Sequence, residues 1–230
     1  MLQLEDRIVF EDNHLLIFNK IPGEIVQGDK TGDIPLVDLL KEYLKKKYEK
    51  PGNVFLGLAH RLDRPTSGLL IFCKTSKALT RINLMLQKHE IKKTYWAVTE
   101  NELNNKSGKF VDYLKKNEKQ NKSYSVKQSE KDAKKAVLNF EFKANSTNYF
   151  LYEINLETGR HHQIRAQLSS HGACIKGDLK YGASRSNKDG SIHLHAYKLD
   201  FEHPIKKEPV SIKSKPPVDP VWDFFSNLLS

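Results

Sequence analysis

Residues 59–72 join a charge-dense loop to a short apolar strand, and the loop contains a carboxylate that could do chemistry. Asp63 stands there between two arginines. Pro65 fixes its own φ angle and biases Arg64 toward an extended conformation, whereas Gly68 allows another backbone to approach closely. Such a loop can hold a charged side chain rigidly at the edge of a sheet. The alternative is an Asx-turn, in which Asp63 only caps the residues that follow it.

Two other segments carry candidate groups. Residues 92–98 alternate as a strand, which puts Tyr95 on one face, although a tyrosine on a strand usually packs in the core. Thr158-Gly159 interrupts a later strand, and the spacing beyond it predicts a helix over residues 161–170. That helix would carry Arg165 on the same side as His161 and Leu168.

These segments resemble motifs of the RluA-type pseudouridine synthases. Residues 60–68 read His-Arg-Leu-Asp-Arg-Pro-Thr-Ser-Gly and resemble the central motif of that family. Residues 93–97 resemble its Lys-x-Tyr-x-Ala motif, and residues 158–165 resemble Thr-Gly-Arg-x-His-Gln-Ile-Arg. Two shorter motifs follow in the family's order, namely Gly177-Asp178-x-x-Tyr181-Gly182 and Leu194-His195-Ala196. Any one motif is weak, but five in order across most of the chain are highly specific.

The resemblance implies an enzyme that isomerises a specific uridine of structured RNA, either transfer RNA or ribosomal RNA, to pseudouridine. Because this reaction breaks the N1–C1′ bond, rotates the base and joins C5 to C1′, we expect no cofactor and no metal. The resemblance assigns Asp63 as the nucleophile, Tyr95 as the residue that stacks on the uracil, and Arg165 as the cation that orients the carboxylate. Whether Asp63 attacks C6, attacks C1′ or removes a sugar proton stays open.

The resemblance also predicts contacts to the RNA. A uridine inside folded RNA must be extruded before a carboxylate can reach it, and Arg61 matches a family arginine that fills the vacated space. A phosphate contact or an ion pair with Asp63 is the alternative role of Arg61. Arg64-Pro65 resembles the transfer-RNA-modifying branch of the family, whereas His161 departs from the family pattern. The other substrate-binding candidates are His60, Arg64, Thr66, Arg160 and His162.

The elements that must position these residues mix strands and helices without a regular βαβ rhythm. This pattern supports an α+β fold with a mainly antiparallel sheet. The resemblance implies the pseudouridine synthase fold, a single catalytic domain over residues 1–230 whose two halves share a mixed sheet flanked by helices, with the active site in a central cleft. We expect no small N-terminal RNA-binding domain, because the first family-like strand begins at about Val9. Ser76 is predicted to cap a helix.

The charge of the chain favours a polyanionic partner. The formal net charge is +10 over 230 residues, and lysine and arginine gain affinity for nucleic acid by releasing phosphate counterions. The alternative is that the lysines only serve solubility. Residues 101–135 are especially rich in lysine, and we expect an irregular hairpin or long loop there that either contacts RNA or is simply solvated.

Two other functions fit parts of the sequence. A metal-dependent nuclease could use Asp63 and several histidines as ligands, but the sequence has no His-Glu-x-x-His motif and no paired acidic cluster. Those histidines are His60, His161, His162, His193 and His195. An RNA-binding or chaperone protein that has lost catalysis is the second alternative, which the presence of all three catalytic candidates disfavours.

The composition is typical of a protein that works inside the cell. Its apolar runs fall far short of the roughly 18 residues that a membrane span requires, and the N-terminus lacks the basic start and apolar core of a secretion signal. Cys73 and Cys174 occur without a Cys-x-x-Cys motif, as expected of reduced thiols. We therefore expect a cytoplasmic protein, and the resemblance implies a monomer whose partner is RNA.

Overall fold

The computed structural model describes residues 4–28 and 32–229, and the chain divides into two compact units. The first unit comprises Met1–Lys92 and Tyr197–Lys215, and the second comprises Lys93–Ala196 and Pro216–Ser230. Residues 1–3, on which part of the expectation about a secretion signal rests, lie outside the described residues. The elements in chain order are β1 (Ile8–Glu11), β2 (Leu15–Lys20), α1 (Leu36–Lys47), β3 (Gly57–Leu58), β4 (Ser67–Cys73), α2 (Ser76–Gln87), β5 (Lys92–Thr99), β6 (Ser107–Asn117), β7 (Lys122–Val126), β8 (Lys134–Asn145), β9 (Phe150–Leu156), α3 (Gln163–Ser170), β10 (Leu194–Glu202), β11 (Pro209–Lys213) and α4 (Pro220–Leu228).

The core of the first unit surrounds β4, all of whose residues are buried. A nearly continuous apolar strand of this kind is typical of a strand that is covered on both faces. β4 pairs antiparallel with β2, and the ladder ends with Lys20 opposite Gly68, next to the loop that carries Asp63. The buried side of α2 consists of Ala78, Ile82 and Met85. The predicted strand and helix are therefore confirmed, and together they anchor the Asp63 loop.

Two details of the first unit differ from expectation. Helix α2 is capped by Thr75 and not by Ser76, because the Thr75 hydroxyl accepts a hydrogen bond from the Ala78 N–H at 3.2 Å. Strand β11 was not predicted, and it pairs antiparallel with β10 at the edge of the sheet. Its residues alternate only between exposed and half-buried, so the apolar signal of a buried strand is absent there.

The turn between β1 and β2 depends on the carboxylate of Asp12. One oxygen accepts hydrogen bonds from the backbone N–H groups of His14 and Leu15, each at 2.8 Å. The other oxygen lies 2.9 Å from the Lys206 ammonium. Burial alone would raise the pKa of this carboxyl, but these hydrogen bonds outweigh burial and lower the pKa to about 2.

We expect the Asp12→Asn substitution to lower the free energy of unfolding by about 2 kcal/mol at neutral pH. The folded-state pKa lies below the unfolded-state value of about 3.9, so the stabilisation is present above about pH 4 and is lost as the pH falls toward 2. Urea unfolding at a series of pH values should therefore show a gap between the two proteins that narrows below about pH 4. Asp38→Asn, which alters an exposed ion pair on α1, serves as the control with little effect. An Asp12→Asn gap that is independent of pH would contradict this account.

The second unit is built on a sheet with the strand order β5-β9-β8-β6-β7, and each of these pairs is antiparallel. β6 and β7 form a regular hairpin with Tyr113 opposite Val126 and Asn117 opposite Lys122. The hairpin expected within residues 101–135 is therefore present, but it is regular over most of its length, and the alternative of a long loop is wrong. Lysines dominate the composition there, but buried residues such as Leu114 and Ser123 recur among them and tie both strands to the unit.

Helix α4 is the last element of the described chain. The Asp219 carboxylate caps it by accepting hydrogen bonds from the Val221 and Trp222 N–H groups, and Pro220 occupies the first turn. The Trp222 ring stacks on His193 with ring centroids 5.2 Å apart.

Within the described ranges, each helix is too short or too polar for a membrane crossing.

Candidate active site

The loop that carries Asp63 ends in a tight turn. The Thr66 N–H donates a hydrogen bond to the backbone carbonyl of Asp63 at 3.0 Å, and the Gly23 N–H donates to the Arg64 carbonyl at 2.9 Å. The bond from the Thr66 N–H to the Asp63 carbonyl is the i to i+3 contact of a β-turn. The Asp63 side chain is half-buried.

A buried lysine at the end of β2 holds the same turn. The side chain of Lys20 is 0% exposed. Its ammonium donates hydrogen bonds to four backbone carbonyls, those of Ile21 (3.1 Å), Asp63 (3.3 Å), Arg64 (3.0 Å) and Thr66 (2.7 Å). An ammonium carries three N–H donors, so these carbonyls share them. The conformation of the Asp63 turn therefore depends on Lys20.

Lys20 was not among the site residues predicted from the sequence. Burial lowers the pKa of Lys20 to about 7, against the opposing influence of the Glu24 and Asp63 carboxylates. Lysine is among the residues that are least often fully buried. A lysine that ends a mainly apolar strand, as in Leu15–Lys20, was the signal available in the sequence.

The other candidates of this loop have different surroundings. The His60 Nε2 accepts a hydrogen bond from the Ile71 N–H at 3.2 Å, which fixes the imidazole against β4. The Arg64 guanidinium lies 2.7 Å from the Asp33 carboxylate, and both side chains are about half exposed. Thr66 is buried, whereas Arg61 is exposed. Of these four residues the two arginines are exposed, His60 is half-buried and Thr66 is buried.

Tyr95 lies in the middle of β5, opposite Ile154 of β9. Tyr95 and Trp96 are both buried, although they point to opposite faces of the strand. Both faces of β5 are thus covered, and burial alone does not separate a site residue from a core residue here. The resemblance of residues 93–97 to a family motif carries the assignment of Tyr95.

Arg165 lies on α3 and forms a buried, bidentate ion pair with Asp178. Its Nε donates to Asp178 Oδ2 at 2.7 Å and its Nη2 donates to Oδ1 at 2.9 Å. The guanidinium carbon lies 5.0 Å from the centre of the Tyr181 ring. A planar guanidinium held in this way keeps one orientation. Asp178 was quoted as part of a motif in the sequence, but it was not among the predicted site residues.

Gly177 lets the chain place Asp178 beside Arg165. Its φ angle is +87°, and an added Cβ would lie 2.8 Å from the Ser191 carbonyl oxygen. A residue with a side chain would therefore meet both backbone strain and a clash at this position. The glycine of the Gly-Asp-x-x-Tyr-Gly motif is required by geometry.

Tyr181 connects the Arg165 site to the tip of the β6–β7 hairpin. Its hydroxyl accepts a hydrogen bond from the Ser123 N–H at 2.9 Å and lies 3.0 Å from His162 Nδ1. His161 bonds the same hairpin, with Nδ1 2.9 Å from Ser123 Oγ and Nε2 3.1 Å from Asn121 Oδ1. The two imidazoles stack with their centroids 3.8 Å apart.

The predicted start of α3 is wrong by two residues. His162 has a φ angle of +51° and a ψ angle of 28°, in the left-handed region, and the helix begins at Gln163. His161 therefore lies before the helix and does not share a helical face with Arg165. The Gln163 side chain fixes the preceding loop, because its Oε1 accepts hydrogen bonds from Thr158 Oγ1 at 2.8 Å and from the Arg160 N–H at 2.9 Å.

The histidines that a metal-dependent nuclease would need have other partners. His193 Nε2 lies 2.9 Å from the Asp219 carboxylate, and its Nδ1 lies 3.0 Å from Asn187. The rings of His195 and Trp222 meet edge to face. In residues 4–28 and 32–229, no three His, Cys, Asp or Glu side chains are grouped so that they could hold a metal ion.

Each unit thus brings together part of the predicted site. In the first unit, Lys20 links Asp63, Arg64 and Thr66 through their carbonyls. In the second unit, Tyr181 links Arg165 with His162. The Arg160 side chain is exposed and is tied by its Nε to the Lys135 carbonyl at 2.9 Å.

Comparisons with known proteins agree with the motifs. A family model described as RNA pseudouridylate synthase matches residues 14–170. Ribosomal large subunit pseudouridine synthase D of Zymomonas mobilis is 32% identical over 222 residues, which cover 92% of this chain and 69% of that protein. The tRNA pseudouridine synthase C of Vibrio parahaemolyticus is 28% identical over 243 residues, which cover 96% of this chain and 94% of that protein.

The fold is also similar to that of a solved structure. The protein named human RNA pseudouridylate synthase domain containing 4 superposes with a TM-score of 0.79 at 22% sequence identity, over 96% of this chain and 93% of that chain. At this level of identity the similarity concerns the fold alone. It confirms the α+β class and the mainly antiparallel sheet that the sequence predicts.

Proposed function

This chain belongs to the RluA-type family of RNA pseudouridine synthases, and on that premise we propose that Asp63 is the nucleophile that isomerises a specific uridine in transfer RNA or ribosomal RNA. Family membership makes the protein an isomerase that acts on RNA, as the sequence predicts. One observation supports this role of Asp63. The buried ammonium of Lys20 holds the Asp63 turn by donating hydrogen bonds to three backbone carbonyls of the turn. A turn fixed in this way pre-organises the carboxylate for attack.

We propose that Tyr95 and Arg165 complete the catalytic group. Tyr95 stacks on the uracil and separates the base from water. Arg165 keeps a fixed orientation through Asp178 and Tyr181, and we propose that this guanidinium orients the nucleophilic carboxylate. Asp178 and Tyr181 are accordingly positioning residues. The atom that Asp63 attacks is left open among C6, C1′ and a sugar proton.

The predicted substrate-binding residues fall into two groups. Arg61, Arg64 and Arg160 are exposed or half-exposed arginines that we propose contact the RNA, with Arg61 filling the space of the extruded uridine. His60, Thr66 and His162 are at least half-buried. His60 accepts a hydrogen bond from the Ile71 N–H, the Thr66 carbonyl accepts one from the Lys20 ammonium, and His162 Nδ1 lies 3.0 Å from the Tyr181 hydroxyl. We propose that these three support substrate binding by fixing the loops that carry the arginines.

We also propose that the two units form one catalytic domain and that the protein acts as a cytoplasmic monomer without a metal. The free thiols of Cys73 and Cys174 fit a reducing compartment. The relatives above are named for ribosomal RNA and for transfer RNA. Both therefore stand as candidate substrates.

The experiment that tests this function is the mapping of pseudouridines in cellular RNA by carbodiimide labelling, with and without the gene. We expect one site or a small set of sites to lose its label when the gene is deleted and to regain it when the gene is restored. Restoring the gene with Asp63→Asn should leave those sites unlabelled. An unchanged pseudouridine map in the deletion strain would overturn the proposal. Activity of the purified enzyme in the presence of a chelator tests the absence of a metal requirement.

A further inference from the structure

Lys93 is a lysine of β5 whose ammonium is partly withdrawn from water. The side chain is half-buried, whereas that of its neighbour Lys92 is exposed. Burial lowers the pKa of Lys93, and no carboxylate offsets this effect. Within residues 4–28 and 32–229, no side chain or carbonyl accepts a hydrogen bond or an ion pair from it. The second unit therefore contains a partly desolvated cation that lacks a counterion among its described residues.

The position of this cation relates it to the site. Lys93 and Tyr95 lie two residues apart on the same strand and so share one face, about 7 Å from each other along β5. The Lys93 Nζ lies 3.7 Å from the point where a Cβ on Gly159 would stand. Gly159 and Arg160 are both exposed at this point. The ammonium thus lies beside an open part of the loop that precedes α3.

A desolvated charge with no partner lowers the stability of a fold. A methionine would fill the same space without that cost, and a lysine at such a position is therefore expected to serve a ligand. The ligand that suits it is an anion, because a compact ammonium binds phosphate as a point charge. RNA presents a phosphodiester on either side of every nucleotide.

We propose that Lys93 binds a phosphodiester of the substrate RNA next to the extruded uridine. The inference rests on the proposed function, since it takes Tyr95 as the residue that stacks on the uracil. A contact to a uracil carbonyl instead of a phosphate is the competing outcome, and the experiment separates the two. Lys93 is then a substrate-binding residue in addition to the exposed arginines.

The experiment measures the affinity of a fluorescein-labelled stem-loop RNA that contains the mapped uridine. The protein carries Asp63→Asn, so that binding is measured without turnover. We expect Lys93→Met to weaken binding by about tenfold or more, Lys93→Arg to retain part of the affinity, and Lys92→Met to change it by less than about twofold. The slope of log affinity against log salt should fall by about one for Lys93→Met and less for the control.

Replacing single phosphodiesters of this RNA with neutral methylphosphonates identifies the contact. The parent protein should lose affinity at one linkage beside the uridine, and Lys93→Met should show no further loss at that linkage. If Lys93→Met keeps the full sensitivity of the parent at every linkage, the phosphate contact does not exist and the proposal is overturned. An affinity loss in Lys93→Met without any linkage dependence would assign Lys93 to the base and also overturn it.

Thermal unfolding distinguishes this role from a structural one. Because Lys93 is a charge without a described partner, we expect Lys93→Met to unfold at the same or a higher temperature while it binds RNA less tightly. A large fall in the unfolding temperature would show that Lys93 serves the fold instead. The binding results for Lys93 do not depend on whether Asp63 is the nucleophile. If Asp63 is not the nucleophile, the Asp63→Asn protein will still form pseudouridine.

Discussion

Asp63→Asn is expected to lower the rate of pseudouridine formation by at least about a thousandfold, while the affinity for RNA stays within about twofold. The amide has nearly the shape of the carboxylate, but it cannot form the covalent intermediate that divides the reaction into two steps. Because Lys20 holds the turn through backbone carbonyls, the substitution leaves these contacts in place. Single-turnover release of tritium from RNA labelled at C5 of uridine measures the rate.

A matched control for this experiment is Asp33→Asn in the same unit. Asp33 is also a partly exposed aspartate beside an arginine, since its carboxylate lies 2.7 Å from the Arg64 guanidinium. We expect this variant to change the rate by only a few-fold, as is usual for an exposed ion pair. Undiminished tritium release by Asp63→Ala would remove the nucleophile assignment, whatever the result for Asp33→Asn.

The sequence predicted the parts of this fold that repeat a simple pattern. The continuous apolar run of β4 and the helical spacing of apolar residues in α2 identify the core of the first unit. Both patterns are local in the sequence and can be recognised without knowledge of the fold. The motif around Arg165 was recognised with its family, and the structure adds the Asp178 and Tyr181 contacts that fix it. Those partners are 13 and 16 positions away, and such contacts have no periodic signature.

The hairpin and the start of α3 show where local pattern fails. Lysine-rich strands β6 and β7 resemble a loop by composition, and pairing with β8 decides their structure. His162 ends the helical pattern at a left-handed conformation, although its sequence neighbours favour a helix. The tertiary contacts of His161 and His162 with Ser123 and Tyr181 account for that departure.

The role of Lys20 could not be derived from its neighbours in the sequence, because its four carbonyl partners include three from a loop more than 40 residues away. Its ammonium donates hydrogen bonds to the Asp63, Arg64 and Thr66 carbonyls of the turn. Buried carbonyls that lose their donor each cost about 1–3 kcal/mol. Replacing Lys20 also removes the cost of keeping its charge out of water, and this gain offsets part of the loss.

Lys20→Met is therefore expected to lower the free energy of unfolding by about 2–4 kcal/mol. It should also slow pseudouridine formation by about a hundredfold, since a displacement of the nucleophile by about 1 Å has an effect of that order. Urea unfolding and single-turnover tritium release measure the two effects. Lys46→Met, which removes an exposed lysine of α1, should change neither by more than a small amount.

The pH dependence gives Lys20→Met a second, independent test. The pKa of Lys20 in the folded protein is about 7, below the value of about 10.4 for an unfolded chain. Between these values the unfolded state binds more protons, so the wild-type protein gains stability as the pH rises from about 7 toward 10. The variant lacks this gain, and the gap between the two free energies of unfolding should widen over that range. A gap that narrows, or a variant with wild-type stability and rate, would show that the Asp63 turn holds its shape without the lysine.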